Sequence, residues 1–171
     1  MTIFLIAGKA GSGKNEVASL LQKHLENTVV TGFAKYIKLF ALEFTNWDGK
    51  DETKPRTFLQ EMGDTLRKID PNFLVDRIIQ DFKVYEKIFD TVVVSDIRLP
   101  YELETIKNNT NHKVVTIKVT ASKSARILAE QEMKHHTELA LENYDNFDYV
   151  IENNFDKNLE KDVLKIIEGM K

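Results

Sequence analysis

Apolar residues along this chain follow two rhythms that alternate. The first is a short unbroken run. TIFLIAG, residues 2–8, has five apolar residues in succession closed by a glycine, the pattern of a strand buried on both faces. Comparable runs recur at TVVTGF (28–33), TVVVSD (91–96), KVVTIKV (113–119) and FDYVIEN (147–153). The second rhythm is helical. Val17, Ala18, Leu20, Leu21 and Leu25 follow Lys14 at helical spacing, and Ile37, Leu39, Phe40, Leu42 and Phe44 do the same after the second run. Leu59, Met62, Leu66 and Ile69 step by three, four and three along one face. Asp70-Pro71 then reads as an N-cap with proline at the first helical position, opening a helix through Phe73, Leu74, Ile78, Phe82 and Tyr85. A further helix is expected from Leu99-Pro100, and a closing one carries Leu159, Val163, Ile166 and Ile167.

Strands separated by helices predict a parallel sheet covered on both faces, with ligands at the carboxyl ends of the strands. There is no internal repeat, low-complexity tract or Pro/Gly/Ser-rich linker, so residues 1–171 are read as a single domain.

Chemistry enters where the first strand meets the first helix. GKAGSGKN, Gly8–Asn15, has the spacing G-x-x-x-x-G-K of a phosphate-binding loop. Gly8, Gly11 and Gly13 let the backbone turn tightly so that the N–H groups of Ala10 through Lys14 converge on phosphate oxygens. The helix N-terminus adds partial positive charge, and Lys14 places an ammonium at the β- and γ-phosphates. The last position departs from the pattern. Asn15 stands where a Ser or Thr hydroxyl usually meets Mg²⁺, and it reads equally as a metal contact, direct or through water, or as a helix cap. A second motif is VVVSDIR: Asp96 at the end of a buried strand fits a Walker B carboxylate near the metal, with Arg98 facing the same mouth. Alone, it would also fit an Asp–Arg surface turn; paired with the glycine loop it supports a nucleotide site. Gln60, Asp64 and Arg67 lie opposite the apolar face of their helix, which Arg56 begins. ASKSARILAEQEMKHHTE carries Lys123, Arg126 and Lys134 and suits a lid over phosphates. His135-His136 is not read as a metal site, because neighbours on a helix diverge and no further ligand cluster is visible.

Composition trims the alternatives. A net charge of −3 gives no basic field for nucleic acid. The lack of cysteine removes disulfides, thiolate metal sites and thiol catalysis. The apolar run Ile3–Ala7 is too short for a signal peptide or membrane span. A cytoplasmic protein without nucleic-acid or membrane partners, monomeric or homodimeric, is expected.

The phosphate loop, the VSDIR strand end, RTFLQEMGDTLRKIDPNFLVD and HHTELALENYDNFDYVIENN together resemble P-loop kinases of the nucleoside-monophosphate-kinase superfamily. Phage-type deoxynucleoside monophosphate kinases and animal-type phosphomevalonate kinases are the groups most resembled. The resemblance implies a three-layer P-loop NTPase fold with a five-stranded parallel sheet, an acceptor-binding helical region over about 34–89 and a small helical lid over about 121–140. It implies ATP and Mg²⁺ as cofactors and a small phosphate monoester as acceptor, a (deoxy)nucleoside monophosphate before phosphomevalonate. By position, Gly8, Ala10, Gly11, Ser12, Gly13, Lys14 and Asn15 become the donor cradle, and Asn15 with Asp96 the metal contacts. Lys14, Asp96, Arg98 and Arg126 become catalytic, and Lys35, Gln60, Arg67 and Arg98 contact the acceptor. Relatives often carry Asp at the position of Asn15, and the animal phosphomevalonate enzymes have a further basic residue in the loop where this chain has Ala10-Gly11. A non-catalytic nucleotide-binding module is the alternative from another class. A GTPase is excluded, since no glycine closely follows Asp96 and no Asn-Lys-x-Asp motif is present.

Overall fold

The computed structural model describes residues 1–121, 140–141, 144–156 and 158–170. The lid segment, with Lys123, Arg126, Lys134, His135 and His136, lies outside them.

Five strands form one parallel sheet: β1 (Thr2–Ala7), β2 (Thr28–Thr31), β3 (Thr91–Ile97), β4 (Lys113–Thr120) and β5 (Tyr149–Glu152), in the order β2-β3-β1-β4-β5. Around it lie α1 (Lys14–His24), α2 (Lys35–Phe44), α3 (Arg56–Ile69), α4 (Phe73–Tyr85), α5 (Pro100–Asn108) and α6 (Asn158–Glu168). β1 takes the centre because it is apolar throughout: Ile3, Phe4, Leu5, Ile6 and Ala7 are wholly buried. It pairs with β3 on one side and β4 on the other, Thr2 lying opposite both Thr91 and Lys113. The edge strands β2 and β5 have four residues each, only one of them buried in either strand, so the edges are short.

Strand alternation divides the core into two layers. Ile3, Leu5, Val92 and Val94 face Phe33, Ile37, Leu74, Ile78, Phe82, Leu103 and Ile106, from α2, α4, α5 and the loop before α2. Phe4, Ile6, Val93 and Ile117 face Val17, Leu21, Leu159, Val163 and Ile166, from α1 and α6. The expected helix–sheet–helix arrangement is therefore present. After β1 the chain crosses outward to β2; after β3 it crosses the other way to β4. The crossovers diverge at the carboxyl ends of β1 and β3, which opens the crevice where such sheets bind ligands.

Two local expectations are corrected. Asp70-Pro71 does not start a helix: α4 begins at Phe73, and Asp70 Oδ1 accepts the N–H of Asn72 at 2.9 Å in a turn. Ile69 does not join the apolar face of α3; it ends the helix 73% exposed, while Leu59, Met62 and Leu66 pack on the core. No helix among the described residues is long and apolar enough to cross a membrane.

Candidate functional site

The glycine loop runs from the end of β1 into α1. Gly13 is the N-cap of α1 and takes the left-handed conformation at φ 93°. A Cβ there would also collide with Nδ2 of Asn153, so glycine is required by backbone and by space. Asn153 is wholly buried just beyond β5. Its amide donates to the carbonyl of Ser12 at 3.1 Å, and its own N–H donates to Thr120 O at 2.8 Å. The loop is thus braced from the far edge of the sheet.

Lys14 is buried, and its Nζ donates to the carbonyls of Gly8 at 2.5 Å and Lys9 at 2.7 Å. Burial pushes its pKa down to about 7, helped by the positive charge of Arg98 and opposed by Asp96. The amine is folded against its own loop in a place where Asp96 only partly offsets the cost of burying its charge. Gly13 has no side chain to cap α1, so the first amides of the helix are offered to whatever occupies the loop. Asn15 is exposed at the second position of the helix and makes no cap hydrogen bond. The cap reading of Asn15 is therefore not supported; the residue lines the cavity instead.

Asp96 stands at the end of β3, but both carboxylate oxygens reach across to the backbone before α2. Oδ1 accepts from Phe33 N at 2.8 Å and Oδ2 from Ala34 N at 3.0 Å. Gly32 makes this approach possible, because a Cβ on it would stand 2.6 Å from the Asp96 carboxyl. Asp96 thus caps the entry to α2 while facing the crevice.

These groups open into one cavity of about 660 Å³. Ala10, Gly11, Gly13, Lys14, Asn15 and Asp96 lie on its wall together with Gln60, Asp64, Arg67 and Arg98. Phe33, Ile37, Leu59 and Leu74 supply apolar surface, and Lys38, Lys54 and Arg56 add positive charge. Among the described residues, six cations share the wall with the carboxylates of Glu16, Asp51, Glu52, Asp64 and Asp96. Arg98 is held below its ordinary pKa chiefly by burial, with Asp96 and Glu102 pulling it back up. Lys54 is also lowered, first by burial and then by Lys38 and Arg56. Crowded, desolvated cations of this kind favour an anionic ligand.

Several sequence assignments move. Lys35 does not line the cavity. Its ammonium bonds Asp81 Oδ2 at 3.0 Å and the Tyr85 hydroxyl at 2.9 Å, which raises its pKa despite partial burial. Lys38, nearly one turn on, takes the cavity-facing place. Gly8 and Ser12 shape the loop without lining the cavity, and Ser12 is buried with its N–H on Lys9 O at 3.2 Å. Arg126 lies outside the described residues.

Four residues were missed. Lys54 carries no local signal. Asn153 is legible as the end of a strand and as part of the segment that carries the resemblance, with no role attached to it. Phe155, with φ 56°, lines the cavity and donates its N–H to Asn153 Oδ1 at 2.8 Å. Glu102 is wholly buried although charged, and its sequence signal was its place two residues after Pro100, in the first turn of α5, where a carboxylate can accept helix-end amides.

No family model matches the sequence. Among solved structures, the chain is similar to shikimate kinase from Aquifex aeolicus, with 18% identity, a TM-score of 0.57, and 99% of this chain and 97% of that one covered. It is also similar to shikimate kinase from Acinetobacter baumannii in complex with shikimate, with 13% identity, a TM-score of 0.50, and coverage of 99% and 92%. At such identities the likeness speaks for architecture alone, and the architecture is that of the three-layer P-loop kinase fold.

Proposed function

We propose that this protein transfers a phosphoryl group from ATP to a small phosphate monoester, most favourably a nucleoside or deoxynucleoside monophosphate. The observation that carries the reading is one shared cavity: the Lys14 loop forms one wall, and Arg67 and Arg98 belong to the same enclosure. An acceptor phosphate already bears about −1.5 to −2 charge at neutral pH, so its oxygen attacks without a strong base. That suits a site where both Asp96 oxygens already accept backbone N–H bonds. The protein's work is then placement and charge neutralisation. The amides at the start of α1 and the ammonium of Lys14 bind the donor phosphates. Lys14 exchanges its two carbonyl partners for phosphate oxygens. Arg67 and Arg98 hold the acceptor phosphate against its electrostatic repulsion from the donor.

Mg²⁺, when bound with ATP, neutralises charge on the phosphate oxygens. Asn15 and Asp96 fit such an ion that keeps most of its waters; no cluster of three His, Cys, Asp or Glu able to cage a metal occurs among the described residues. Phe33, Ile37 and Leu59 offer an apolar face and Gln60 an amide for a nucleobase. Phosphomevalonate is the second acceptor considered, since Arg56 could meet its carboxylate. The likeness to shikimate kinases adds a hydroxyl acceptor to those worth testing.

The test is ATP consumption by the purified protein with Mg²⁺, against ribo- and deoxynucleoside monophosphates, phosphomevalonate and shikimate. One nucleotide raising turnover well above background supports the reading. Turnover with shikimate alone, or ATP binding with silence across the panel, refutes it.

A further inference from the structure

Glu102 presents a problem that its local role does not solve. The residue is wholly buried, and burying a carboxylate is costly unless it is fully bonded. Its Oε2 accepts the N–H groups of Arg98 at 2.8 Å and Leu99 at 3.0 Å, which completes the cap of α5 in place of the apolar N-cap residue Leu99. The cap needs only that oxygen. Oε1 reaches out of the helix to Nη2 of Arg67 at 2.9 Å, on α3 and 35 residues earlier. The fold also leaves room for this guanidinium: a Cβ on Gly63 would stand 3.1 Å from Arg67 Nη1. Nη1 lies 3.9 Å from Asp64 Oδ1, so Glu102 fixes one end of a guanidinium whose side chain is 17% exposed on the cavity wall.

We propose that Glu102 is a positioning residue that joins Arg67 and the backbone of Arg98 into one clamp for a phosphate monoester. This rests on the acceptor reading above and deepens it. A bidentate guanidinium recognises the phosphate plane only when its fork is oriented in advance. Arg67 arrives from α3 and Arg98 from the end of β3, so neither element alone sets their relation. The two oxygens of one carboxylate set it, one holding the strand end and the other the helix side chain.

Glu102→Gln separates the two roles. An amide oxygen can still accept from Arg98 and Leu99, whereas the NH₂ end meets Arg67 donor against donor. The probe is inorganic phosphate, titrated into protein saturated with a non-hydrolysable ATP analogue, so that the donor loop is filled. Glu102→Gln should weaken phosphate binding about tenfold or more, the usual range for losing a charge-assisted bond. Arg67→Ala should weaken it similarly, and the double variant should be no worse than Arg67→Ala alone, because the carboxylate acts through that arginine. Unchanged phosphate affinity in Glu102→Gln with lowered thermal stability would make Glu102 a fold brace and overturn the proposal. Additive losses in the double variant, or no phosphate binding by the parent, overturn it too. Should Glu102→Gln not fold, Glu102→Asp keeps the charge and retracts it by one methylene; it should weaken phosphate binding several-fold, and unchanged binding counts against the clamp. A silent acceptor panel with this cycle intact removes the kinase reading alone; turnover with an additive cycle removes the clamp alone.

Discussion

Adding ATP to the protein at pH 8.5 should draw about one proton from solution for each nucleotide bound, and Lys14 is the group that takes it up. Its pKa in the empty loop lies at about 7, because burial and Arg98 disfavour the ammonium. At pH 8.5 roughly 3% of such a group is protonated. Phosphate oxygens bring negative charge to the amine beyond the partial offset that Asp96 gives, which returns it to its charged form. Between about pH 7.5 and 10, ATP affinity should then fall by up to tenfold per pH unit. Stability of the empty protein carries the same signature. Across the window from about 7 to the ordinary lysine value of 10.5, the unfolded chain holds a proton that the folded one has released. The folded state therefore gains stability as pH rises through that window and loses it as pH falls back to 7. Titration calorimetry in two buffers of different ionisation enthalpy reads the proton count directly. Heats independent of the buffer, with ATP still bound, would refute the reasoning, as would full proton uptake in Lys14→Met.

Three further perturbations test the surroundings of this lysine. Gly32→Ala forces a methyl to within 2.6 Å of the Asp96 carboxyl and displaces it from Phe33 and Ala34; urea denaturation should show a loss of about 3 kcal/mol, and a loss below about 0.5 kcal/mol would show that the contact is slack. Asn153→Ala removes the buried donor to Ser12 O and should cost about 2 kcal/mol while raising KM for ATP more than it lowers kcat. Unaltered KM would mean that the loop holds its shape unaided. Asn15→Asp should lower the Mg²⁺ concentration for half-maximal turnover about thirtyfold, the worth of one carboxylate charge beside a divalent ion at ~4 Å in water; an unmoved Mg²⁺ titration would place Asn15 away from the metal.

How far the chain could be read in advance depended on how local each cause is. The strand–glycine–helix junction at Gly8–Lys14 is specified by adjacent residues, and it appears where the pattern put it. The end of β3 at Asp96 was legible for the same reason. Its partners were not, because Phe33 and Ala34 are set by a crossover that periodicity does not encode. Lys35 and Lys38 are both cations on one helix, and only the docking of α2 against α4 decides that Asp81 claims the first. Asp70-Pro71 failed by a small margin: Pro71 and Asn72 form a turn and α4 starts only at Phe73, although Asp70 accepts the N–H of Asn72 ahead of it. Glu102, two residues after Pro100, carries only a local signal, that of an acid in the first turn of a helix. Its burial follows from the long-range meeting of α3 and α5, which no window of sequence contains.

The brace at Asn153 has a consequence for how the molecule comes into being. The glycine loop and its buttress are separated by 141 positions. At the usual 5–20 residues per second of synthesis, Ser12 leaves the ribosome on the order of ten seconds before Asn153 does. Until then the central strand has its earlier neighbour β3 and later β4 to pair with, but the loop above it has no support from β5. A nascent chain can thus carry the whole phosphate-binding motif before the residue that braces Ser12 has been made.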